Sequence, residues 1–320
     1  MIQIKDLNIK FENHSVFESL SFDIADGNTC VIFIGKRGGK TALASAICGA
    51  SDFIGGEVLI DGEAISPDNI ELKRRIGFYS ADMRPLGFMS VYELLKLFCD
   101  ARGVDDEKAE LQINEVLQLT ELEALSDSSV SALSVYQRAK LGIATTLMGK
   151  PSLLVYDDIF KGLDKEESDD IAQILKMISS KKRTLLICST PESAAKFCDY
   201  AIFINNGKPS LSGRIEDIER EINKTKEMNL SIRGNFEKIE KTLSALDEIV
   251  KVSLENDDGE IVSVNIEYKS DDKIKDKLFA AMAQINSPIL SYKDISVSIR
   301  EVYYSLMTDK SSSNKKEAAR

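Results

Sequence analysis

Apolar and polar positions alternate along residues 2–11 and 16–25, the period of two expected of half-buried strands, and the apolar run TCVIFI at 29–34 reads as a strand covered on both faces. Residues 40–48 then take a helical pattern closed by Gly49. The turn pair Asp61-Gly62 inside 57–65 predicts a hairpin, and 75–80 a further short strand. From Ser90 to Gly149 the period becomes helical, with Ser90 capping 91–101 and further helices over 106–122 and 134–148. Beyond this insertion, short apolar strands at 153–156, 184–188 and 201–204 alternate with helical stretches at 165–178 and 192–197. Such alternation implies a parallel sheet with helical crossovers.

The pattern changes near Gly213. A charge-rich linking helix is expected over 216–227, followed by strand, helix, strand, strand, helix and strand at 229–233, 236–246, 250–254, 261–268, 273–285 and 289–296. That order predicts an α+β unit of the ferredoxin-like split βαβ kind. Residues 309–320 are polar and read as a solvated, flexible tail. The expected domains are therefore 1–212, with a helical subdomain at about 84–150, and an accessory domain at 213–308.

A chain of 320 residues, 43% hydrophobic and 29% charged, is long enough to bury two cores. No apolar run reaches the roughly 18 residues a spanning helix needs, and the first residues, MIQIK, do not resemble a signal peptide. Any membrane role is then expected to run through a separate membrane partner, without a direct span. The net charge of -11 opposes a polyanion surface, so nucleic acid is not an expected partner. Five cysteines without C-x-x-C spacing read as buried thiols of a reducing cytoplasm, and the single histidine, His14, excludes a histidine-rich metal site.

Chemistry concentrates where the strand at 29–34 meets the next helix. Gly35-Lys36-Arg37-Gly38-Gly39-Lys40-Thr41-Ala42 carries most of a phosphate-binding P-loop, in which backbone N–H groups wrap a phosphate, the lysine reaches the β/γ-phosphates and the hydroxyl holds Mg²⁺. Gly35 stands four positions before Gly39 where G-x-x-x-x-G-K-[ST] asks for five, so the loop is one residue short. The alternative is a glycine-rich turn capping an ordinary helix. Further along, the apolar strand at 153–156 ends in Asp157-Asp158, the layout of a Walker B strand. There Asp157 fits the role of a metal ligand together with Thr41, and Asp158 that of a catalytic acid polarising the attacking water beside Lys40. Two acids after a strand also commonly cap a helix or make a turn; the upstream P-loop favours the functional reading.

Leu133-Ser134-Val135-Tyr136-Gln137 opens the helix before that strand, and Lys161-Gly162-Leu163-Asp164 follows it. In this order the motifs resemble the L-S-G-G-Q signature and the S-G-L-D loop of the nucleotide-binding subunits of ABC transporters, over residues 1–212. The fold this implies is α/β, a P-loop NTPase of ABC type with antiparallel β and helical subdomains. The resemblance further implies ATP with Mg²⁺ as cofactors and a homodimer or heterodimer of cassettes. Ser134, Gln137 and Asp164 of one cassette would then face the nucleotide held by the P-loop of the other. It also implies an integral-membrane permease contacted by the helical insertion and the segment near Ala81. The location that follows is cytoplasmic, peripheral to the inner face of the cell membrane through the permease. Phe11 falls where the family stacks an aromatic on adenine, core packing being the alternative. The end of the chain, Ser298 to Tyr303, resembles the close of accessory domains of single-cassette exporters.

Five departures from the family pattern fall on the nucleotide site. The loop is short, Val135 and Tyr136 replace both signature glycines, and Asp158 stands for a longer glutamate. Ala81, beside Asp82, occupies the Q-loop position, and Cys188-Ser189-Thr190-Pro191 stands where the family has a histidine. A tyrosine ring where backbone should approach a phosphate is expected to obstruct the closed pair. Losses of this kind predict slow hydrolysis with binding less affected. Two functions are consistent with the sequence: a transporter ATPase with reduced turnover, or a non-catalytic cassette acting as a regulatory or heterodimer partner.

Overall fold

The computed structural model describes residues 1–11, 14–27, 29–35, 39–83, 86–179, 183–188, 191–194, 196–222, 225–269, 273–295 and 299–308. Alternation makes β1 (Ile2–Phe11) and β2 (His14–Ile24) an antiparallel pair that buries Ile4, Leu7, Phe17 and Leu20 on one face. Every residue of β3 (Thr29–Ile34) is buried, as its unbroken apolar run requires. Next come α1 (Lys40–Ile47), β4 (Gly55–Ile60), β5 (Glu63–Ala64), α2 (Ile70–Arg74) and β6 (Ile76–Ser80). Ser90 and Glu93 form a reciprocal capping box that starts α3 (Val91–Ala101), and α4 (Asp106–Thr120) and α5 (Val135–Leu147) complete the helical lobe.

The chain then alternates through β7 (Leu153–Asp157), α6 (Lys165–Ser179), β8 (Arg183–Cys188), α7 (Pro191–Ala194), β9 (Tyr200–Asn205) and β10 (Lys208–Arg214). Two sheets result. One is antiparallel, in the order β2-β1-β4-β5, and the other runs β10-β9-β3-β8-β7-β6, parallel except for β10. These sheets and α1 share one hydrophobic core, containing Ile4, Leu20, Ile32, Leu43 and Val155. The helical lobe has a separate core of Leu95, Ile113, Val130, Ala144 and Met148.

After α8 (Ile215–Ile222) follow β11 (Thr225–Arg233), α9 (Phe236–Ser244), β12 (Ile249–Asp257), β13 (Ile261–Lys269), α10 (Ile274–Gln284), β14 (Ile289–Ile295) and α11 (Ile299–Thr308). Glu216–Val302 is a compact unit of its own, and the residues before it form another, to which the chain from Tyr303 also belongs. The second unit's sheet is antiparallel, in the order β12-β13-β11-β14, with α9 and α10 covering Leu230, Val264 and Ile266. In the first unit, the Tyr303 ring lies edge-on to Phe33 with centroids 5.6 Å apart, and Phe33 touches Phe203 at 5.1 Å. Asn205 Nδ2 donates to the Leu306 carbonyl at 2.6 Å.

Some sequence expectations need correcting. The linking helix over 216–227 ends at Ile222, and Thr225, Lys226 and Glu227 already pair with β13, so sheet hydrogen bonding overrides their helical composition. The helix over 192–197 is the single turn Pro191–Ala194. The helix α2, the edge strand β10 and the last helix α11 were not expected from the pattern. The tail at 309–320 lies outside the described residues. Among the described residues, no helix is long and apolar enough to cross a membrane.

Candidate functional site

Strand β3 delivers the chain to Gly35, and α1 begins at Lys40 after Gly39. Gly39 has φ 77°, and a Cβ there would lie 2.0 Å from Val16 Cγ1 and 3.0 Å from Phe17 Cε2. Glycine is thus required at this position by both conformation and space. The start of α1 has no side-chain cap, which leaves its first N–H groups available to an anion. Lys40 and the half-buried Ala42 stand with the exposed Thr41 on this first turn. Lys36, Arg37 and Gly38 lie outside the described residues, as does the Phe11 side chain.

The parallel register of β6 and β7 sets Ser80 opposite Asp157. Asp157 is 1% exposed, and its Oδ2 accepts a 2.8 Å bond from Ser80 Oγ. Its other oxygen, Oδ1, is buried with no hydrogen-bond partner. Burial pushes the Asp157 carboxyl above its ordinary pKa; the Thr41 and Ser80 hydroxyls oppose that shift, Asp158 adds to it, and Lys40 opposes it. A buried carboxylate oxygen left without a hydrogen, beside two hydroxyls, is a donor set that fits a hard divalent cation. The chain turns at once after β7: Asp158 has φ 53°, its N–H bonds the Ile187 carbonyl at 2.9 Å, and its own carbonyl accepts from Lys161 at 2.8 Å. This turn brings the Asp158 carboxylate into a largely buried ion pair with Lys40. Lys40, Thr41, Asp157 and Asp158 therefore converge. Ser80, which sequence reasoning missed, supports them from the neighbouring strand.

The remaining candidates form local arrangements. Ser134 and Gln137 make a reciprocal capping box on α5, with bonds of 3.1 and 2.9 Å. Asp164 and Glu167 do the same ahead of α6, at 2.9 and 3.1 Å. The Tyr136 hydroxyl donates to Asp170 at 2.5 Å, and Lys140 sits 4.6 Å from the centre of its ring. The Ala81 backbone N–H bonds the Asp157 carbonyl at 3.0 Å, while Asp82 is engaged by Lys161 at 2.6 Å. His14 is an exposed residue of β2. Ser189 and Thr190 lie outside the described residues.

A cavity of about 570 Å³ has residues of both the helical lobe and the sheet layer in its wall, among them Phe78, Met83, Leu97, Phe98 and Val135, with Arg138 and Lys161 among its polar residues. Phe88, in the same connecting segment as Met83, is 83% exposed.

Residues 17–161 match the family described as ABC transporter. The chain is 28% identical over 218 residues to human ATP-binding cassette sub-family A member 9, an alignment covering 66% of this chain but only 13% of that protein. It is 23% identical over 239 residues to the uncharacterised ABC transporter ATP-binding protein YxlF of Bacillus subtilis, covering 74% of this chain and 78% of YxlF. Its fold is similar to a solved dimeric ATP-binding cassette, MJ0796, bound to ADP and Pi, with TM-score 0.59 and 21% identity over 67% of this chain and 98% of the other. The family match over residues 17–161 and the shared fold identify an ABC transporter ATP-binding cassette domain within the first unit.

Proposed function

We propose that this chain is the ATP-binding subunit of an ABC transporter, coupling ATP binding and slow hydrolysis to transport through a separate integral-membrane permease at the cytoplasmic face. The observation that carries this reading is the convergence of Lys40, Thr41, Asp157 and Asp158, with one buried Asp157 oxygen free of hydrogen bonds. Thr41 and Asp157 are the residues suited to hold Mg²⁺, which when bound offsets the negative charge of the nucleotide phosphates. Backbone N–H groups at the start of α1, from Lys40 to Ala42, would hold the phosphates, and Lys40 would exchange Asp158 for phosphate. Asp158, once released, orients the attacking water.

A second cassette, identical or different, completes the arrangement: Ser134, Gln137 and Asp164 serve the nucleotide of the partner. The apolar cavity between lobe and sheet, with exposed Phe88 near it, supports permease docking on this side. Slow turnover follows from the short Asp158 carboxylate, from Ala81, which offers no polar side chain, and from Asp82, which is held by Lys161. The Lys40–Asp158 ion pair favours one second reading, a non-catalytic cassette acting as a regulatory or heterodimer partner, because it engages both groups with each other and not with a nucleotide.

Steady-state turnover and nucleotide binding of the purified chain, with and without its permease, decide between these readings. Turnover stimulated by the permease and lost in Lys40→Ala and Asp158→Ala supports the motor. Nucleotide binding without turnover, or no nucleotide binding at all, supports the second reading and rejects the motor.

A further inference from the structure

Lys140 is a cation whose side chain is only 4% exposed, and it meets groups from three elements. Glu121, the left-handed residue that ends α4 at φ 55°, lies 2.7 Å away, and Asp170 of α6 lies 3.1 Å away. The Tyr136 ring, one turn earlier on α5, covers the ammonium from 4.6 Å, and the Tyr136 hydroxyl also donates to Asp170. Burial pulls the Lys140 pKa down, but the bonds to Glu121, Tyr136 and Asp170 more than reverse that, so the group stays charged. A buried cation held by two carboxylates and an aromatic face constrains direction more than it adds stability, because its desolvation offsets much of the attraction.

The location of this network gives it a consequence. The helical lobe and the sheet layer have separate cores, and a cavity lies between them along the α5 face that carries Arg138, Ala139, Gly142 and Thr145. Tyr136 and Lys140, at i and i+4 on another face of α5, reach α6, which buries Ile171 and Leu175. The network therefore spans from the end of α4 through α5 to α6, in addition to the close packing of α5 on β6, where Gly142 meets Tyr79 and Gly77 meets the Thr146 carbonyl.

We propose that Tyr136 is a positioning residue that, acting through Lys140 and Asp170, fixes the direction of α5 on α6 and with it the place of Ser134 at the tip of α5. The position that the signature pattern gives to glycine is used here as a fastening between the helical lobe and the sheet layer. Its effect on ATP rests on the reading of Ser134 as part of a nucleotide site; the fastening itself rests on geometry alone.

The test is a distance measurement by pulsed dipolar spectroscopy on the full chain, with spin labels at Leu111→Cys on α4 and Met177→Cys on α6, positions 65% and 54% exposed. The labelled chain with native Tyr136 should give one narrow distribution, and Tyr136→Phe and Asp170→Asn should each shift it or add a second population while melting cooperatively. Distributions unchanged in both variants would overturn the proposal. A parallel ATP titration of the labelled chain separates the two failures: loss of ATP binding there rejects the nucleotide reading and leaves the fastening to the distances.

Discussion

The Ser80 hydroxyl donates to the Asp157 carboxylate at 2.8 Å, across the residue-to-residue register of β6 and β7. Both groups are buried, so this bond has no water to replace it. Ser80→Ala leaves Asp157 without that partner on a side where the other oxygen already has none. The expected loss is about 1.5–3 kcal/mol of stability, the range for hydrogen bonds to charged groups, measured by denaturant unfolding of the nucleotide-free chain. A change within experimental error would show that the bond carries no stability.

Asp157 also sets a pH dependence. Its native pKa is raised, by burial first, so between the ordinary aspartate value of about 3.9 and the raised value the native state binds more protons than the unfolded state. Stability of the nucleotide-free chain should therefore fall as pH rises through that window. Asp157→Asn removes this slope and should raise the neutral-pH melting temperature by about 2–4 °C, the shift for roughly 1 kcal/mol in a domain of this size. The same variant should lose the stabilisation by Mg²⁺-nucleotide seen in the native chain. Thermal melts across pH, with and without Mg²⁺-ATP, check both parts.

Gly39→Ala introduces a methyl 2.0 Å from Val16 Cγ1 at a left-handed φ of 77°. The expected cost is about 1 kcal/mol or more. Since the residue precedes Lys40, nucleotide affinity should fall with it, measured by calorimetric titration. An unchanged affinity would show that the start of α1 tolerates movement.

The cavity between lobe and sheet predicts a separable defect. Leu97 is 41% exposed on α3 and lines the cavity. Leu97→Glu should leave basal turnover unchanged and abolish stimulation by the permease, read as ATPase activity in reconstituted membranes. Full stimulation would place permease docking elsewhere.

How much of this was legible in the sequence differs by element. The unbroken apolar run at 29–34 marks β3 without ambiguity, and Ser90 announces α3 because its cap is local. β10 was hidden because Pro209 and Gly213 interrupt a mostly exposed strand whose existence depends on pairing with β9. Thr225 to Glu227 look helical by composition and are held extended by β13, more than thirty residues away. Lys40, Thr41, Asp157 and Asp158 were visible from motif spacing. Ser80 was not, because only the parallel register brings it to Asp157, 77 positions later. Tyr136 was visible as a departure but read only as an obstruction, since its partner Asp170 lies 34 positions away on a helix that the signature does not mention.

The central claim is that Lys40 leaves Asp158 to take a nucleotide phosphate. Calorimetric titration of Mg²⁺-ATP into the native chain and into Lys40→Ala tests it most directly. The account predicts saturable binding by the native chain and a loss of at least about tenfold in affinity in the variant, equivalent to 1.4 kcal/mol. Equal affinities, or no binding by the native chain, would contradict it.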